Sequence, residues 1–103
     1  MIILAIDKDY NYLFFNEAHK NSMASSYGID VTFDMNLLDC ITSEPDKNIA
    51  KRNYDISLSG VSHSTIQEFG DKEKSYYETH YSPILNEDNE IIGATAFARD
   101  ISE

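Results

Sequence analysis

After Gly60 the chain reads as three strand-like segments in succession, about 61–69, 75–85 and 90–101, with no helical stretch between them. They are joined by Gly70-Asp71-Lys72-Glu73-Lys74 and by Asn86-Glu87-Asp88-Asn89. Connectors this short and polar join strands that run antiparallel, since a parallel pair needs a crossover of about a dozen residues or more. This part of the chain is therefore an antiparallel meander, and the segments before it must supply what covers one face of the sheet.

Those segments begin with two more strands. Residues 2–6 and 12–15 are β-branched or aromatic runs separated by Asp7-Lys8-Asp9-Tyr10-Asn11, which carries the turn residues of a β-hairpin. Asn16 stands as an N-cap before Glu17-Ala18, and Gly28 follows Tyr27 where a left-handed residue would stop a helix, so 17–27 predicts a polar, loosely amphipathic helix. Residues 33–41 hold Met35, Leu37, Leu38 and Ile41 in a stretch too short for a long helix, which predicts one short helix or a pair of turns packed inward. Ser43-Glu44-Pro45-Asp46 has the form of a capping box, with Ser43 accepting from the Asp46 amide and the proline early enough to lose no helical hydrogen bond. A helix over 44–59 follows, with Ile49, Ala50, Asn53, Tyr54 and Ser57 on the side facing a sheet and Asn48, Lys51, Arg52 and Asp55 opposite. Two strands, a helical block and three strands predict an α+β fold, one five-stranded antiparallel sheet with helices packed on a single face.

The 103 residues suffice for one domain, 1–103, with one modest core; hydrophobic residues at 42% and charged residues at 25% match a chain that folds alone. Eighteen acidic against eight basic residues give a net charge of -10, which repels phosphate backbones and anionic lipid surfaces, so neither nucleic acid nor membrane is an expected partner. The one cysteine, Cys40, cannot form a disulfide within the chain, and the cytoplasm is the expected compartment. The apolar opening, residues 1–6, is too short for a signal peptide or a membrane span. With strand-like residues reaching both ends, the domain is expected to be cut from a longer multidomain protein.

Four segments in this order resemble the PAS family of sensory domains: Ala5-Ile6-Asp7-Lys8-Asp9, Phe15-Asn16-Glu17-Ala18, Tyr81-Ser82-Pro83-Ile84, and Ile92-Gly93 leading into Ala98-Arg99-Asp100-Ile101-Ser102-Glu103. The resemblance spans nearly the whole chain, and its closing segment is the most specific part. It implies a sheet in the order B-A-I-H-G, where A and B are the two early strands and G, H and I the meander, with a ligand-sized space between sheet and long helix. The sequence departs from the family at Tyr10 and Asn89, where glycine is usual. Asn89 tolerates a left-handed backbone, whereas Tyr10 implies a different first turn.

In relatives the residue two before the Asp of the closing segment faces the ligand, so the resemblance with strand alternation turns Ala94, Ala96 and Ala98 inward and Thr95, Phe97 and Arg99 outward. The same count turns Tyr77, Thr79 and Tyr81 inward and Tyr76, Glu78 and His80 outward, with Gln67 a further inward candidate. Together with Tyr54 these inward residues form the candidate pocket, which either holds a small, partly polar molecule or is filled by Tyr54, Tyr77 and Tyr81 themselves. Thr95 and Phe97 form the candidate homodimer or flanking-helix interface, and Arg99 with Asp100 anchors the strand's exit towards an attached output domain.

The cofactors of relatives find no match. Cys40 sits in Leu37-Leu38-Asp39-Cys40-Ile41-Thr42 rather than in the Gly-x-Asn-Cys-Arg-Phe-Leu-Gln stretch of flavin-binding relatives, and reads as a buried small apolar residue. The long helix has no histidine for haem iron. His19, His63 and His80 lack metal-ligand spacing and read as surface or hydrogen-bonded residues, and no arginine, lysine or histidine is expected in the pocket to bind a carboxylate. No nucleophile with a base, paired carboxylates or glycine-rich phosphate loop is present, so the domain is expected not to be an enzyme. The expected role is a sensory domain relaying a ligand or partner signal to an output domain, first a histidine kinase and second a diguanylate cyclase; the alternative is a ligand-free dimerisation scaffold.

Overall fold

The computed structural model describes residues 1–102; Glu103, the last residue of the closing motif, lies outside them. Five strands form one antiparallel sheet: β1 (Ile2–Asp7), β2 (Tyr12–Phe15), β3 (His63–Phe69), β4 (Ser75–Leu85) and β5 (Ile91–Asp100), in the order β2-β1-β5-β4-β3. This is the B-A-I-H-G order, with the first and last strands of the chain adjacent at the centre. Leu4 lies opposite Ala96 and Ile6 opposite Ala94, so large residues of β1 meet small ones of β5. Gly93, opposite Asp7 on β1, is fixed by close approach, because a Cβ there would lie 2.2 Å from the Ile6 carbonyl oxygen.

Three helices occupy the middle of the chain: α1 (Glu17–Tyr27), α2 (Leu37–Cys40) and α3 (Glu44–Leu58). Asn16 caps α1 by accepting from the His19 amide (3.0 Å), and its side chain also joins the hairpin, accepting from Ile3 N (3.1 Å) and donating to Met1 O (2.8 Å). Gly28 closes α1 in the left-handed conformation (φ 68°). On α3, Ala50, Asn53, Tyr54 and Ser57 are buried towards the sheet, as the 3.6-residue spacing predicts. The helix ends at Leu58, and Val61, expected to open the next strand, serves its C-terminus instead: Val61 N donates to Ile56 O (3.3 Å), and Ser57 Oγ donates to Val61 O (3.0 Å). Strand β3 accordingly starts at His63.

Two expectations need correction. Tyr10 does not abandon the left-handed turn: it adopts φ 68°, the conformation glycine would take. Contacts from both sides hold it there. Its hydroxyl bonds Asp55 on α3, its carbonyl accepts from Leu37 N (2.9 Å), and its amide donates to Asp7 O (3.1 Å). The capping box is also only half formed. Ser43 accepts from the Asp46 amide (3.4 Å), but the Asp46 carboxylate is buried, where it accepts from Tyr27 OH (2.7 Å) and Gly70 N (2.8 Å). A buried carboxylate needs donors, and these two lie inside the fold rather than at its own helix end.

Candidate functional site

A cavity of about 100 Å³ lies between α1, α3 and the inner face of β1, β4 and β5. Its sheet side pairs bulk with space: Tyr81 lies opposite Ala96, and Thr79 opposite Ala98. Tyr54 comes down from α3 and meets Tyr81 edge-on, with ring centroids 5.1 Å apart at 89°. On its other side Tyr81 stacks against His63 at 5.0 Å, and His63 Nε2 lies 3.3 Å from Asn53 Oδ1 on α3. The tyrosine is thus clamped between helix and edge strand. Burial raises the phenols of Tyr54 and Tyr81, so both are neutral hydroxyls at physiological pH.

Of the residues expected in the pocket, Tyr54, Tyr77, Thr79, Tyr81, Ala96 and Ala98 line the cavity. Ala94 and Gln67 do not. Ala94 is fully buried against Ile6 and Pro83 in the packed part of the core, and Gln67, opposite Tyr77 on the edge strand, is half-buried outside the lining.

Helix α1 closes the cavity with His19, Ser22, Met23, Ser26 and Tyr27, none of which was expected there. Its buried residues His19, Met23, Ser26 and Tyr27 fall at i, i+4, i+7 and i+8, a helical stripe present in the sequence but masked because two of the four are polar. Three of these polar side chains have partners: His19 Nε2 lies 2.7 Å from Tyr12 OH, Ser22 Oγ 3.1 Å from Tyr77 OH, and Tyr27 OH donates to Asp46. A histidine does line the pocket, contrary to expectation. Burial lowers its pKa to about 4, however, so it faces the cavity as a neutral imidazole and offers no positive charge to a carboxylate. Among the described residues, no Asp, Glu, Lys or Arg side chain lines the space.

The outer sheet face carries the expected interface residues. Phe97 is 43% exposed and lies in a cross-strand row with Ile3 and His80, while Phe14 and Leu13 on β2 continue the exposed apolar surface. Thr95 is half-buried between Ala5 and Ser82. Arg99 pairs with Glu78 (2.7 Å), and Asp100 accepts from Ser102 N (2.9 Å). Ile101 N donates to Tyr76 O (2.9 Å) and Tyr76 N to Ser102 Oγ (2.7 Å), so the closing segment stays attached to β4.

Cys40 is buried with its Sγ 3.9 Å from Met35 Sδ, and burial raises its thiol pKa. Among the described residues, no group of three or more His, Cys, Asp or Glu side chains is placed to hold a metal ion. None of the helices described is long and apolar enough to cross a membrane.

A sequence model of the PAS fold matches residues 1–103, and the chain belongs to the PAS family. Among solved structures, a domain from Haloarcula marismortui assigned to a light and redox sensing histidine kinase is 20% identical, with TM-score 0.73 over 98% of this chain and 89% of that one. The PAS domain of a Colwellia psychrerythraea protein is 14% identical, with TM-score 0.74 over 98% and 86%. The N-terminal domain of a diguanylate cyclase with PAS/PAC sensor from Marinobacter aquaeolei is also 14% identical, with TM-score 0.72 over 98% and 94%. At these identities the likeness is one of fold. No curated protein matches the sequence.

Proposed function

We propose that this PAS domain is a regulatory sensor that takes a small molecule in its inner cavity, or a protein partner on its outer sheet face, and relays the change to an attached output domain. The observation that carries this reading is the double duty of β5. Ala96 and Ala98 line the cavity, while Thr95 and Phe97, alternating with them, turn to the outer face. A guest that displaces the alanines shifts the same backbone that presents Phe97. The exposed apolar row fits a second copy or a flanking helix, and Arg99 and Asp100 hold the strand where it leaves the sheet. Catalysis belongs to the output domain in this reading. A histidine kinase is the first choice and a diguanylate cyclase the second, as in the proteins that carry two of the similar domains.

A cytoplasmic location fits the buried free thiol of Cys40. The occupant is neither flavin nor haem, since about 100 Å³ is well below the roughly 300–1,000 Å³ of pockets that take larger ligands. Native mass spectrometry of the purified chain tests the sensor, with a bound small molecule as the expected result. Sedimentation of Phe97→Asp tests the outer face, where a shift from dimer towards monomer is expected and an unchanged oligomeric state in a folded variant refutes the interface.

The clamped Tyr54–Tyr81 pair, which fills much of the inner space, favours a second reading as a ligand-free dimerisation scaffold. A chain that retains no ligand but dimerises through Phe97 establishes that alternative.

A further inference from the structure

Two spaces share a wall between α1 and β4. The inner one is the cavity of about 100 Å³; the outer one is a cleft of about 530 Å³. Ile2, Ser22, Ser26 and Tyr77 line both, and the hydrogen bond between Ser22 Oγ and Tyr77 OH (3.1 Å) joins helix to sheet at that shared wall. The two spaces differ in charge. Among the described residues, Glu73 and Asp100 line the cleft and no Lys or Arg does, whereas uncharged groups line the cavity.

We propose that the cavity takes an uncharged single-ring molecule bearing one or two polar atoms, admitted from the acidic cleft when the Ser22–Tyr77 hydrogen bond opens. Size sets the ring count. An apolar protein cavity of about 150 Å³ accepts benzene, so a space of this order holds one ring and not two once Tyr77 swings outward with the broken bond. Charge sets the class. A carboxylate or ammonium entering the cavity would lose its hydration and find no opposite charge, because neutral His19 and the serine, threonine and tyrosine hydroxyls are the polar groups available. Anions are also repelled at the cleft by Glu73 and Asp100. The polar atoms of the guest have hydroxyl partners at hand in Thr79 and Tyr81.

This inference rests on reading the cavity as a sensing site, and the test separates the two. The purified chain is titrated with phenol and with benzoate, its anionic counterpart, while the amide resonances of Ser22, Ala96 and Ala98 are followed by NMR. Phenol is expected to shift all three, with benzoate weaker by about tenfold or more. Ala98→Leu, which fills the space, is expected to abolish phenol binding. Ser22→Ala and Tyr77→Phe each remove the gating bond, so phenol association and dissociation rates should rise together with little change in Kd. Ser22→Ala is the milder substitution, since alanine favours a helix. Benzoate binding as tightly as phenol overturns the ligand class, and unchanged exchange rates in both variants overturn the route. A retained charged or multi-ring molecule, with no phenol binding, overturns this inference and leaves the sensor standing. A cavity that takes neither a co-purified molecule nor either probe ends both.

Discussion

Tyr10 holds a backbone conformation that costs an L-residue about 1–2 kcal/mol, and its side chain offsets that cost. The hydroxyl bonds Asp55, and Lys51 Nζ lies 5.6 Å from the ring centroid while pairing with Asp55 at 2.8 Å. Tyr10→Phe keeps the strain and loses the bond, so chemical denaturation should show a loss of about 1 kcal/mol. Tyr10→Gly removes both and should be close to neutral; a glycine variant far less stable than the phenylalanine one would contradict the account. His19 makes the second prediction at this scale. Its pKa falls from 6.5 in the unfolded chain to about 4 in the fold, so the unfolded state binds the extra proton between those values. The stability contributed by neutral His19 is complete above pH 6.5 and lost as pH falls towards 4, up to about 3 kcal/mol for the full shift. His19→Gln should flatten the decline measured between pH 6.5 and 5, above the range in which most carboxylates titrate.

The start of α3 shows how one element borrows another's function. Ser43 serves as its cap, while Asp46 secures the segment between β3 and β4 through Gly70 N and secures α1 through Tyr27 OH. That segment is held again where Asp71 N and Lys72 N both donate to Ser26 O (2.8 Å) and where Thr42 Oγ1 donates to Asp71 (2.7 Å). Asp46→Ala leaves two donors without their acceptor and should cost about 2–3 kcal/mol, against about 1 kcal/mol for Ser43→Ala. Hydrogen exchange should accelerate first at Gly70, with the amides of β5 still protected. A larger loss from Ser43→Ala would show that the cap, not the buried carboxylate, sets the stability of this junction.

Across the whole molecule, the net charge of -10 leaves an excess of like charges, and the described residues form three ion pairs, each with at least one solvent-exposed partner. Exposed pairs contribute little, whereas like-charge repulsion acts over the whole surface and is screened by salt. The thermal midpoint should therefore rise with added NaCl, and a fall would mean that the pairs outweigh the repulsion. The order of elements and the meander after Gly60 were legible in the sequence as local periodicities, and the inward set Tyr77, Thr79, Tyr81, Ala96 and Ala98 followed from strand alternation once the resemblance to the PAS family fixed its phase. The role of α1 was not, since a stripe of histidine, methionine, serine and tyrosine reads as a polar surface until Tyr12 and Tyr77 arrive from the sheet to satisfy it. Local pattern by itself determined which residues form strands and helices and which residues of each share a face. Only the tertiary structure decided that Asp46 points inward, that Tyr10 can hold a glycine conformation and that a small uncharged cavity remains, because each depends on partners 19 to 55 residues away in the chain.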